Sequence, residues 1–139
     1  MKAQQYLEQV DKLEAIIQNK MIEKEQWRDI AQSITGRYEG ERVQSSGSKS
    51  KMADAADRMI QIDGEIDRLI GEQIEIRLDI IRTIEQLKVD DYDVLHKIYI
   101  QHKSFKEVAA AKNKSVSWAT TIHGRALQAL QKVLDYRNL

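Results

Sequence analysis

Asp90, Asp91 and Asp93 stand close enough together to suggest an oxygen-ligated cation site. Carboxylates at a helix start also cap its first N–H groups and complement its dipole, and that reading needs no ion. His96, His102 and His123 share no ligand spacing, so no metal is expected and His123 reads as a boundary or core residue. The chain shows no nucleophile with an evident base and orienting partner, no phosphate-binding glycine loop and no HExxH motif. It is therefore expected to be non-enzymatic and to need no cofactor. What remains is charge. The 22 basic and 22 acidic residues cancel only in sum, because residues 1–90 hold 14 basic against 18 acidic and residues 91–139 hold 8 against 4. A polyanionic partner is expected to meet the C-terminal part.

The elements that position these residues read as helices. Hydrophobic residues make up 42% of the 139 positions and charged residues 32%, aromatics are only 6%, and proline is absent, which favours long amphipathic helices over a sandwich or barrel. Cysteine is also absent, which removes disulfides and thiolate metal sites. Met1 to Val10 is too polar for a signal peptide, and apolar residues elsewhere are spaced among charges. A cytoplasmic protein with no membrane partner is the expectation.

Tyr6, Val10, Leu13, Ile17, Met21, Trp27, Ala31 and Ile34 form one stripe at helical spacing, interrupted by Lys20 and Lys24, and predict a helix from about Ala3 to Ser33. Its length of roughly 45 Å suits pairing with a second long helix. That helix is predicted over Lys51–Lys88, where Met52, Ala55, Met59, Ile62, Ile66, Leu69, Ile76, Ile80 and Leu87 keep a coiled-coil seam with Gln73 and Thr83 in its gaps. The glycine- and serine-rich stretch at about 35–50 reads as a flexible connector, folding the two helices into an antiparallel hairpin over residues 1–88. Ile70, Ile74 and Ile81 lie beside the seam and need a further cover, either the C-terminal domain or a second subunit.

Residues 89–139 break into shorter pieces, Tyr92–Ile100, Ser104–Lys112 and Ser115 to about Tyr136. Asp91 is a candidate cap for the first, Ser104 and Glu107 form a capping box for the second, and Ser115 or Ser117 caps the third. Asn113 suits the left-handed position of a tight turn. A helix, a short turn and a helix are the ingredients of a DNA-binding helix-turn-helix. Ala119, Ile122, Ala126, Leu130 and Val133 mark the inward face of the third piece, leaving Ser117, Thr121, Gly124 and Gln128 outward, with Trp118 at the margin as a packing anchor.

Glu107-Val108-Ala109-Ala110-Ala111, Ser115 and Ile122-His123-Gly124-Arg125-Ala126-Leu127 resemble region four of primary sigma factors. Tyr6-Leu7-Glu8-Gln9-Val10, Lys12-Leu13, Ser33-Ile34-Thr35 and Trp118 with His123-Gly124-Arg125-Ala126-Leu127 resemble phage proteins related to ArpU- and RinA-type transcriptional regulators, over essentially the whole chain. The resemblance implies an all-α protein whose sigma-like helix-turn-helix follows the helical hairpin. It implies a transcription regulator acting in a bacterial host cell. Val116, Ser117, Thr120 and Thr121 would face double-stranded DNA, while Lys103, Lys106, Lys112, Lys114 and Arg125 would touch phosphates. Sigma factors carry longer arginine, glutamate and glutamine side chains at several of those reading positions, so either weak binding or binding assisted by bacterial RNA polymerase is expected. The hairpin would mediate homo-oligomerisation or polymerase contact. The alternative is an interaction module with a sigma-like fold that does not bind DNA, in which Lys112 and Lys114 are solvated turn residues.

Overall fold

The computed structural model describes residues 1–40 and 46–138, with side chains described for all of these except 34–40 and 46–49. Among the described residues the chain is all-helical, with α1 (Ala3–Leu7), α2 (Gln9–Gly40), α3 (Ser46–Ile84), α4 (Val89–Leu95), a π-helical turn (His96–Ile100), α5 (Phe105–Lys112) and α6 (Val116–Arg137). It divides into two compact units, one of Met1–Asp11 with Ile74–Leu139 and one of Lys12–Gln73. No helix among the described residues is long and apolar enough to cross a membrane.

In the unit Lys12–Gln73, Ile17, Ile62, Ile66 and Leu69 are buried together, and Leu13, Ile16 and Trp27 pack against them. The lysines that interrupt the first stripe reach across to α3, with Lys20 Nζ 2.8 Å from Glu65 and Lys24 Nζ 2.6 Å from Asp63. Gln73, a polar gap in the α3 seam, donates to Glu14 at 2.9 Å. Partners descend along α3 as they ascend along α2, so the two segments run antiparallel. Each buried isoleucine contributes about 1.5–3 kcal/mol, whereas ion pairs screened by solvent contribute little. Apolar burial therefore holds the pair together, and the charged partners favour one register. The expected connector at about 35–50 is partly taken up by α2, which runs to Gly40, and α3, which starts at Ser46. Its middle, 41–45, lies outside the described residues, as do the side chains of Ile34 and Thr35.

In the other unit, Leu7 and Val10 from the N-terminal segment, Ile80 and Ile84 from α3, Leu95 from α4, and Ala126 and Leu130 from α6 share one core. A second cluster joins Val94, Val108, Ala109, Ala119 and Ile122, with Phe105 and Trp118 packed against it. The expected inward face of α6 is buried at Ala119, Ile122, Ala126 and Leu130. Ala3 N–H donates to Gln131 Oε1 at 2.7 Å, so the start of the chain is bonded to α6.

Several boundaries differ from expectation for local reasons. The first helix is interrupted at Glu8 (φ −84°, ψ −2°), where the Gln9 side-chain amide donates to Tyr6 O at 2.8 Å and competes for a helical carbonyl. The second long helix stops at Ile84 instead of Lys88, because Gln86 N–H and Leu87 N–H bond three residues back to Thr83 O and Ile84 O and tighten the last turn. Asp91 does not cap a helix starting at Tyr92. The helix begins at Val89, Lys88 occupies the cap position without a side-chain bond, and the Asp91 carboxylate is buried against Arg125. Of the three isoleucines beside the seam, Ile70 and Ile74 are exposed and Ile81 is half-buried.

Candidate nucleic-acid interface

The turn between α5 and α6 is fixed by its own sequence. Ser104 Oγ accepts from Glu107 N–H at 3.1 Å while Ser104 N–H donates to Glu107 Oε1 at 3.3 Å, which starts α5 with a reciprocal box. The helix ends when Asn113 enters the left-handed region (φ 55°, ψ 44°). Lys114 N–H then bonds to Ala109 O at 2.9 Å and Asn113 N–H to Ala110 O at 3.2 Å, the paired pattern of a Schellman stop. Ser115 Oγ accepts from Trp118 N–H at 3.0 Å and starts α6. Each stop and start thus satisfies backbone groups that would otherwise be orphaned.

With Ala119, Ile122 and Ala126 buried, α6 turns Val116, Ser117, Thr120, Thr121, Gly124 and Gln128 to solvent. The four reading positions implied by the resemblance, Val116, Ser117, Thr120 and Thr121, are all exposed. Their chemistry differs. Thr120 Oγ1 donates to Ser117 O at 3.0 Å and is already committed to its own helix, whereas the Ser117 and Thr121 hydroxyls take no bond among the described residues. Gly124 stands in open space, since a Cβ there would meet nothing within 4 Å.

The five cations separate into two groups. Lys103, Lys106 and Lys114 carry no ion pair among the described residues, and Lys114 Nζ sits 5.9 Å from the centre of the Trp118 ring. Lys112 and Arg125 are engaged by α4. Lys112 Nζ lies 2.7 Å from Asp93 and 3.7 Å from Asp90, and its hydrogen bond to Asp93 raises its pKa. Burial pushes the Asp93 carboxyl up, yet bonds from Lys112 and Lys97 outweigh it and hold it below its usual range. Arg125 donates to one oxygen of the buried Asp91 through Nε at 2.9 Å and Nη2 at 2.6 Å. The three aspartates, read from sequence as caps or a cation site, thus act as partners for basic residues, and among the described residues no group of three or more acidic, histidine or cysteine side chains is placed to hold a metal.

Behind the exposed face, His123 Nε2 and Tyr99 Oη lie 2.8 Å apart and Phe105 packs edge-on to the His123 ring. Burial lowers the His123 pKa and, with the Glu8 carboxylate, pushes Tyr99 up to about 12. The π-helical turn supplies Tyr99, and His102 closes it in the left-handed region at φ 57°. Sequence reasoning placed no weight on Tyr99, and helical periodicity gives no sign of a π turn. It also missed the bonds of Tyr6 Oη to Asp79 at 2.5 Å and Thr83 at 3.0 Å, and of Arg137 to Asp79 at 3.0 Å. Thr83 as a polar gap in an apolar seam was the one visible signal. No family model, curated protein or solved structure matches the chain.

Proposed function

We propose that the chain is a DNA-binding transcription regulator in which α5, the Asn113 turn and α6 act as a helix-turn-helix. The observation that carries this reading is the exposed polar face of α6, where the Ser117 and Thr121 hydroxyls take no bond among the described residues, in a unit whose Lys103, Lys106 and Lys114 carry no ion pair among them. Short hydroxyls reach base edges only when the helix enters the major groove, and lysines on its approach neutralise phosphates. The antiparallel pairing of α2 with α3 reads as a helical hairpin for self-association or bacterial RNA polymerase, with Ile74 and Leu78 as exposed apolar contacts. The resemblance to ArpU- and RinA-type phage proteins supports a phage-type regulator, and the region-four resemblance supports the helix-turn-helix.

A second reading, an interaction module that does not bind DNA, is favoured by the engagement of Lys112 with Asp93 and of one edge of Arg125 with Asp91, which commits part of the basic surface to carboxylates of α4. Fluorescence anisotropy of the full chain on labelled duplexes, titrated with salt in the presence and absence of RNA polymerase, separates the two. The regulator reading expects the logarithm of affinity to fall linearly with log salt. Absence of salt-dependent binding under both conditions leaves the interaction module.

A further inference from the structure

Beside the middle of α6 lies an open groove of about 380 Å³, walled by Leu87 and Lys88 after α3 and by Arg125, Gln128 and Lys132 on α6, with Asp91 at Arg125. Its charge is lopsided. Three cations face one carboxylate, and that carboxylate is buried and already holds Arg125 through Nε and Nη2. Anchored in this way, the guanidinium keeps its Nη1 edge for a second anion, and its side chain is 50% exposed. Lys88 and Lys132 are exposed and carry no ion pair among the described residues. Gln128 adds a neutral side chain able to donate to a phosphate oxygen.

The groove is continuous with the reading face. At about 100° per residue, Ser117, Thr121, Arg125, Gln128 and Lys132 fall on one side of α6. Arg125 lies eight residues beyond Ser117, about 12 Å along the axis, and the major groove is about 12 Å wide. A helix that places its first two turns against base edges therefore brings Arg125, and after it Lys132, to the sugar-phosphate strand bordering that groove.

Resting on the DNA-binding reading above, we propose that Lys88, Arg125 and Lys132 form a second phosphate-binding subsite that clamps one strand of duplex DNA against the flank of α6. Arg125 is then bifunctional, with one edge holding α4 and the other the phosphate. The test is a salt titration of the full-length Lys88→Gln/Lys132→Gln variant, read by anisotropy on a genomic duplex and a random duplex, with thermal melts as the folding control. The slope of log affinity against log salt is expected to fall by about 1.8, equally on both duplexes, because two fewer counterions are released. Lys88→Arg/Lys132→Arg is expected to keep the wild-type slope, and Lys51→Gln, at an exposed lysine that does not line the groove, is expected to change nothing. A wild-type slope in the double glutamine variant overturns the subsite while leaving the DNA-binding reading standing. Wild type that shows no salt-dependent binding overturns both.

Discussion

Arg125 holds Asp91 through a single carboxylate oxygen, at 2.6 Å from Nη2 and 2.9 Å from Nε, and so ties α6 to α4. Asp91 is 2% exposed, so its charge has lost its water and depends on this partner. Arg125→Ala is expected to lower the unfolding free energy by about 2–3 kcal/mol, below the full loss for a buried pair because the arginine is half in solvent. Adding Asp91→Asn is expected to recover much of that loss, since no uncompensated charge remains. Urea denaturation of both variants measures it. A wild-type midpoint for Arg125→Ala would contradict the dependence.

The turn before α6 predicts a graded series. Ser115→Ala removes the acceptor for Trp118 N–H and is expected to cost about 1 kcal/mol. Asn113→Ala places a Cβ in the left-handed region without the local hydrogen bonding of asparagine and is expected to cost about 1 kcal/mol, whereas Asn113→Gly is expected to be near neutral. Equal melting temperatures for the alanine and glycine variants would deny that the backbone conformation matters.

These caps were legible because they are local: Ser104, Glu107, Asn113 and Ser115 bond within a few residues, so spacing alone identifies them. The inward face of α6 was legible for the same reason, since Ala119, Ile122, Ala126 and Leu130 follow helical periodicity. Asp91 was misread as a cap because its partner, Arg125, is 34 positions away and no local pattern announces the pair. The engagement of Lys112 by Asp93 and the bonding of Tyr6 to Asp79 were hidden likewise, each depending on which helices pack together. The break at Glu8 escaped notice because the apolar stripe continues through it, from Tyr6 to Val10.

Acid is expected to weaken the fold through His123. Burial holds its folded pKa below the usual value, so the unfolded chain takes up a proton first as pH falls. The stability difference is fully present above about pH 6.5, the unfolded value, and declines below it until the folded group also titrates. Tyr99 acts at the other extreme: its hydroxyl, pushed up to about 12, stays protonated after the unfolded tyrosine ionises. Stability therefore declines as pH rises from about 10 toward the folded value. Denaturant midpoints for wild type and His123→Gln across pH 5 to 8 test the acid limb. The variant is expected to lose part of the slope, and an unchanged slope would place the titration elsewhere.

The hydroxyls of α6 are expected to separate reading from holding. Ser117→Ala with Thr121→Ala is expected to reduce discrimination between a genomic duplex and a random one while leaving most nonspecific affinity, because contacts to base edges carry the sequence information. Thr120→Ala is expected to leave discrimination near wild type, since its hydroxyl is bonded to Ser117 O. Lys114→Ala is expected to weaken both duplexes alike and reduce the salt slope by about 0.9. Competition anisotropy with the two duplexes provides the comparison, and loss of discrimination in Thr120→Ala alone would reverse the assignment.

Gly124 offers a comparison in which stability and binding are expected to move in opposite directions. A glycine inside a helix costs about 1 kcal/mol relative to alanine, and nothing within 4 Å of a Cβ at Gly124 explains its presence. Gly64 and Gly71 on α3 are equally open and serve as matched controls. All three Gly→Ala variants are expected to be more stable than wild type by about 0.5–1 kcal/mol. Gly124 differs in lying on the outward face of α6 with Ser117, Thr121 and Gln128, where a side chain would stand between the helix backbone and a docked duplex. Gly124→Ala is therefore expected to weaken DNA binding several-fold despite the firmer fold, while Gly64→Ala and Gly71→Ala bind as wild type. Thermal melts and anisotropy on the same preparations supply both readings. If Gly124→Ala is stabilised and binds DNA unchanged, that part of α6 does not approach the duplex closely, and the contact surface must lie nearer Val116 and the turn.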